Sequence, residues 1–202
     1  MAWLAVFLSW QPALAADDLR LAAATTSSKK SSAATKAKAG AEAARWNAVQ
    51  KERAPSHIVR LARSFKRDFP KSERLKEASE LESNATRVAH IQRDAGLTSE
   101  FFETTRGDRV FEANLLGAAH GDAEAAYSLA TAFREGKSGP PANTRRYEQW
   151  LRVASELGHA RASWEFAQVV NRSGLVAEAA HYEKRALVLG YQPPPRLSNR
   201  DY

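Results

Sequence analysis

From Ala41 onward, large apolar residues return every three or four positions with charged residues between them, a spacing that predicts successive amphipathic helices. Trp46 and Val49 mark a first helix that stops before Pro55. Ser56 can cap a second, with Ile58, Val59, Leu61, Ala62, Phe65 and Phe69 on its apolar face and Phe69-Pro70 as its end. Ser72 can open a third and longer helix through Leu75, Ala78, Leu81, Ala85 and Val88 towards Ile91. Two breaks follow, at Gly96-Leu97-Thr98 and Arg106-Gly107-Asp108. Asp122 caps a helix bearing Ala123, Ala126, Tyr127, Ala130 and Phe133, and Gly136 can end it in the left-handed conformation. After a Gly/Pro loop, Asn143 or Thr144 caps a helix with Tyr147, Trp150, Leu151, Ala154 and Leu157 on one face. Gly158 closes that helix, and Ala160, Ser163, Trp164, Ala167 and Val170 carry the next to Ser173-Gly174. The last stripe is Leu175, Ala179, Tyr182, Ala186 and Leu189, stopped by Gly190 and Pro193-Pro194-Pro195. No segment alternates with period two, so the predicted fold class is all-α.

The C-terminal helices repeat. Gly121 to Ala130 aligns with Gly158 to Ala167 at an offset of 37 residues, and Tyr147 to Gly158 aligns with Ala179 to Gly190 at an offset of 32. In the second alignment Trp150 meets Tyr182, Ala154 meets Ala186, and Leu157-Gly158 meets Leu189-Gly190. Periods of this length belong to stacked helical hairpins, an architecture used mainly for binding. Over Ala118 to Tyr191 the chain resembles the Sel-one-like repeat family, a relative of the tetratricopeptide repeat. The departures are a Ser-Gly-Pro-Pro-Ala-Asn loop at 138–143 and a short Ser173-Gly174-Leu175 connection. Between Trp46 and Ala78, the Trp-bearing helix, the Phe65 to Phe69-Pro70 helix end and the following helix resemble the tetratricopeptide-like helix pairs of bacterial envelope proteins. The resemblance implies a short solenoid of α/α hairpins. Two hairpins are fewer than such a stack needs, so Arg109 to Ala119 and the N-terminal helices are expected to cap it. Small residues at Ala126/Ser163, Ala130/Ala167 and Ala154/Ala186 are expected where helices approach closely, and Tyr127, Phe133, Tyr147, Trp150, Trp164 and Tyr182 are expected to fill the core.

The termini read differently. Ala2 to Trp10 is apolar but too short to span a bilayer, and Ala13-Leu14-Ala15 has the small-x-small form of a cleavage site, so residues 1–15 are expected to be a signal peptide. It departs from that pattern in having no Lys or Arg before the apolar run. Residues 16–40 are mostly Ala, Ser, Thr and Lys, lack the large side chains that offset ordering entropy, and predict a flexible basic linker. The remaining boundaries are a helical segment over 41–95, the repeat region over 96–192 and a tail over 193–202. The net charge of +7 is uneven: residues 16–53 hold eight basic side chains against four acidic ones, and the rest of the chain is close to neutral. Basicity placed in a linker of an exported protein argues against nucleic acid as partner. It suits a weak, salt-sensitive contact with an anionic cell-wall polymer. The location expected is periplasmic or secreted, in a bacterium.

Candidate chemistry is sparse. The chain has no cysteine, which removes thiol nucleophiles and Cys-based zinc sites. His57, His90, His120, His159 and His181 form no metal-ligand spacing with one another or with carboxylates. There is no phosphate loop and no Gly-x-Ser-x-Gly, and Ser27-Ser28-Lys29-Lys30 lies in a tract without a pocket. No catalytic residue, metal or cofactor is therefore assigned, including the β-lactam chemistry linked to some cysteine-rich relatives of the resembled family. Helical-repeat proteins bind through the first helix of each hairpin. Its polar positions here include Glu124, Ser128, Thr131, Arg134, Arg161, Glu165, Gln168 and Arg172. Arg134, Arg161, Glu165 and Arg172 are the candidate partner-binding residues, suited to an acidic or extended peptide or a C-terminal carboxylate. The expected function is a non-enzymatic scaffold or adaptor for another envelope or exported protein, with binding of peptidoglycan or an acidic polysaccharide as the alternative.

Overall fold

Helix caps chosen by Asp, Asn and Gly divide the chain into an all-α hairpin stack, seen in a computed structural model that describes residues 35–102, 107–137 and 140–194. The signal peptide expected over 1–15, the linker over 16–34 and the tail from 195 lie outside the described residues. The chain divides into two units, Met1–Ala44 and Arg45–Tyr202. The described residues of the first, 35–44, are helical and mostly exposed. Residues 35–40 were expected to belong to a flexible linker; their alanines and lysines favour helix strongly enough to extend it to Thr35.

The second unit opens on helical residues 45–51 (α1) and continues with α2 (Pro55–Asp68), α3 (Leu75–Asp94), a 3-10 turn (Ser99–Phe102), α4 (Arg109–Ala119), α5 (Ala123–Glu135), α6 (Thr144–Leu157), α7 (Ala160–Arg172) and α8 (Val176–Val188). Helices α2/α3, α5/α6 and α7/α8 form hairpins, α6 packs on α7, and α4 packs on α5. Helix α3 touches α4 and α6, so the N-terminal hairpin closes one end of the stack. Among the described residues no helix is long and apolar enough to cross a membrane.

The punctuation agrees with the sequence at the repeat. The Asp122 carboxylate accepts from the Glu124 and Ala125 amides, and the Asn143 side chain accepts from the Arg146 amide. Gly136 (φ 67°) and Gly158 (φ 101°) end α5 and α6 in the left-handed conformation. Earlier caps differ from expectation. Ala54, held extended before Pro55 at the first helical position, starts α2 in place of Ser56. Helix α3 starts after Arg74, and the Ser72 hydroxyl accepts the Arg74 amide within a turn.

A continuous core runs from Ile58 on α2 to Tyr182 on α8. The small residues expected at close approaches, Ala126, Ser163, Ala130, Ala167, Ala154 and Ala186, are all fully buried. Ser155 and Ser163 share a buried hydroxyl–hydroxyl hydrogen bond of 2.9 Å between α6 and α7. The interhelical break hides two core residues that periodicity does not reveal. Phe101 and Phe102 place their ring centroids 4.5 and 5.2 Å from that of buried Trp150. A second cluster, Trp46, Val49, Ala62, Phe65, Phe69 and Ala78, joins α1, α2 and α3.

Polar ties reinforce the packing. The Glu82 carboxylate on α3 accepts from Arg63 Nε (2.7 Å) and forms an ion pair with Lys66 (2.6 Å), both on α2. Burial pushes the carboxyl's titration up, but the two cations together outweigh this and hold it below the usual carboxylate range. The His120 ring at the end of α4 donates from Nε2 to the Glu52 carbonyl oxygen at 3.2 Å, and burial pushes its titration below the usual imidazole value. Arg185 on α8 donates from Nε to Ser155 O and from Nη2 to Glu156 O, each at 3.0 Å, and so caps the last turn of α6.

Candidate functional site

The arginine-bearing strip is organised around a single carboxylate. On α7, Arg161 and Glu165 are one turn apart, and the Arg161 Nε donates to Glu165 Oε1 at 2.8 Å. Across from them on α5, Tyr127 donates its hydroxyl to the same oxygen at 2.8 Å. Arg134, two turns further along α5, donates to Glu165 Oε2 at 3.3 Å. Tyr147 on α6 completes the set with a 3.2 Å hydroxyl bond to Oε2. Four donors from three helices therefore meet a carboxylate whose side chain is only 17% exposed.

Ring contacts fix the arginines laterally. The Arg161 guanidinium carbon stands 5.7 Å from the Tyr127 ring centroid, and that of Arg134 stands 5.8 Å from Tyr147. Tyr127 also stacks on His159 at 4.3 Å and 18°. The Ala162 amide donates to His159 Nδ1, so the ring proton is on Nε2, which donates to Glu124 Oε2 at 3.0 Å. His159 thus caps α7 and orients the aromatic layer, the structural role that its place after Gly158 suggests.

The electrostatics keep the cluster in one protonation state. Burial, followed by the hydrogen bond to Glu165 and its charge, pushes the Tyr127 hydroxyl up to about 12. Burial and Glu165 also raise Tyr147, against an opposing pull from Arg134. The bond to Glu165 raises Arg161 further; burial opposes the charge on Arg134, but Glu165 together with Tyr147 and Tyr127 outweighs it and raises Arg134 too. At neutral pH both tyrosines are donors and both arginines are cations. Around them Arg134 also lies 3.6 Å from Glu135, which Lys137 approaches at 3.0 Å, and Glu124 stands beside His159, so cations and carboxylates alternate across the strip.

Of the predicted residues, the structure brings Arg134, Arg161 and Glu165 together and leaves Arg172 apart. Arg172 is the exposed last residue of α7, about 10 Å along the axis from Glu165. Among the described residues it makes no ion pair. Gln168 reaches Glu183 on α8 at 3.4 Å, and Glu124 is engaged by His159. Phe133, Trp150 and Tyr182 are core residues as expected. Tyr127, Tyr147 and Trp164 are only half-buried, and the first two belong to the site. Their signal in the sequence is the hydroxyl itself, which needs a partner wherever a tyrosine is partly enclosed.

The Tyr127 ring also forms one wall of an open groove of about 310 Å³ between α4 and α5. Val110, Phe111 and Asn114 line its α4 side, while Ser128, Thr131 and Glu135 line the α5 side. Val110 is exposed at the groove rim. The groove and the carboxylate cluster share Tyr127 on α5. Among the described residues no group of three or more His, Cys, Asp or Glu is placed to hold a metal ion. No protein-family model matches the chain, and comparison with curated proteins and with solved structures returns no match.

Proposed function

We propose that this protein is a non-enzymatic scaffold or adaptor of the bacterial cell envelope, built on Sel-one-like hairpins, that holds another exported protein against α5 and α7. The observation that carries this reading is the way Glu165 holds Arg161. The guanidinium spends its Nε on Glu165 and lies over Tyr127, and its side chain remains 58% exposed. Its two terminal nitrogens make no hydrogen bond among the described residues. They present the planar fork that recognises a carboxylate in two parallel bonds, with little rotamer entropy left to lose. One exposed guanidinium flanked by Glu165, Glu135 and Glu124 suits a single carboxylate, an acidic side chain or a chain terminus, and disfavours a densely anionic ligand. The adjoining groove would take an apolar residue of the same segment against Val110 and Phe111.

The test is affinity capture from a periplasmic extract, comparing the parent with Arg161→Gln and with an Arg134/Arg161/Arg172→Glu triple variant. Loss of one or a few specific proteins with both variants, while deletion of residues 19–40 leaves them bound, is the expected result. Unchanged capture by both variants would remove this face from consideration. The alternative, binding of an anionic wall polymer, draws on exposed Lys36 and Lys38 in the helical residues 35–44. It predicts co-sedimentation with wall material that the same deletion, or raised salt, abolishes.

A further inference from the structure

The outer face of α8, the last helix among the described residues, is apolar where a helix exposed to solvent normally carries polar side chains. Here Val176 is 65% exposed, Leu187 54% and Val188 78%. Leu187 and Val188 occupy the repeat positions that α6 fills with Ser155 and Glu156, and in α6 the first of these is fully buried against α7. At Leu187, therefore, α8 carries an apolar residue where its repeat equivalent is covered by a following helix, whereas the equivalent of Val188, Glu156, stays partly exposed.

The face is also self-complementary. Tyr182, Ala179 and Ala186 are buried, and a helical wheel spreads exposed Val176, Ala177, Ala180, Lys184, Leu187 and Val188 over an arc of about 120° on the solvent side, Val176 at its edge. Read in reverse about position 182, Val176 falls opposite Val188, Ala177 opposite Leu187, and Ala180 opposite Lys184. Apolar groups stand at both ends, and two alanines allow close approach in between. Lys184 would lie along Ala180 of a second copy and reach that copy's Glu183 one turn away, pairing the only charge on the face. Antiparallel alignment also opposes the two helix dipoles. We propose that α8 is a homotypic contact, binding α8 of a second copy of this chain antiparallel across a two-fold axis.

Helix α8 has 13 residues and so a length of about 20 Å. A contact of that length buries less than the ~1,600 Å² of a standard interface, which makes the dimer weak and concentration-dependent. The consequence for function is bivalence: two copies would present two arginine faces on one assembly.

Sedimentation of the full chain over a wide concentration range tests the proposal. A reversible monomer–dimer equilibrium is expected. Val188→Glu should raise its dissociation constant about ten-fold or more, since symmetry introduces the charge twice. Val188 is largely exposed, so the variant should keep the parent's helical circular dichroism and melting temperature. The absence of cysteine allows a second measurement. Chains carrying Val176→Cys mixed with chains carrying Val188→Cys should join through a short bismaleimide linker. Either variant alone should not, because like positions are about 18 Å apart in this register. A chain that stays monomeric up to about 1 mM overturns the proposal and leaves the face to a different protein. Association indifferent to Val188→Glu, or single variants that cross-link as readily as the mixture, overturns it too.

Discussion

Removing the carboxylate at Glu165 should loosen three helices at once. Glu165→Ala takes the acceptor from both tyrosine hydroxyls and the counter-charge from Arg134 and Arg161. Each hydroxyl–carboxylate bond is worth about 1 kcal/mol, the low end for a charged acceptor, because both rings keep some contact with water. Each arginine pair adds roughly 0–0.5 kcal/mol, since both guanidinium groups are substantially exposed and screened. The sum is about 2–3 kcal/mol. For a folded unit of this size, that corresponds to a fall in melting temperature of about 4–12 °C. Thermal unfolding followed by circular dichroism measures it. An independent readout is the phenol titration of Tyr127, followed by ultraviolet difference absorbance. Its midpoint, held at about 12, should fall towards the ordinary tyrosine value without reaching it, because burial, the largest cause, remains. Glu165→Gln, which keeps one acceptor oxygen, should lie between parent and alanine variant in both measurements. A melting temperature within about 1 °C of the parent's, together with an unchanged tyrosine titration, would refute the idea that Glu165 clamps α5, α6 and α7.

Other outcomes follow from the same structure. Phe102→Ala, which empties a fully buried site against Trp150, should destabilise by about 3–5 kcal/mol in urea unfolding, as for a core phenylalanine rather than a loop residue. Because the titration of His120 is lowered in the folded state, its contribution is fully present above the unfolded imidazole value near 6.5 and is lost as pH falls below it. The urea midpoint should therefore drop between about pH 7.5 and 5.5, less so in His120→Gln. Asp122→Ala, which strips the cap from α5, should lower stability by about 1 kcal/mol with little change in the Tyr127 titration.

The repeat hairpins were legible because their boundaries are set by local chemistry. Asp122, Asn143, Gly136 and Gly158 act on their own helix ends, and no distant contact is needed to place them. The start of α2 was misread because Ser56 is a good cap in isolation, whereas Pro55 forces the preceding residue into the extended conformation that a cap requires. Phe101 and Phe102 escaped notice since a four-residue turn is too short to show a period. At the site, the Arg161/Glu165 pair follows from helical spacing alone. Its link to Tyr127, Arg134 and Tyr147 depends on how α5 and α6 are set against α7, which no single helix encodes. Counting tyrosines as core residues hid two donors of the cluster, and treating the arginines as one strip overstated the reach of Arg172.

Arg185 places a limit on how far this chain can be trimmed. Its guanidinium satisfies the Ser155 and Glu156 carbonyls at the end of α6, and Tyr182 nearby donates to the Glu156 side chain at 2.8 Å. A protease cutting between α7 and α8 would remove both at once and strip the last turn of α6 of its caps, although the cut lies beyond that helix in the chain. Fragments ending near Arg172 should therefore be degraded further, while those retaining Arg185 should survive. In limited proteolysis the C-terminal boundary of the resistant fragment should fall after Arg185, with no stable product that ends at the α7/α8 connection.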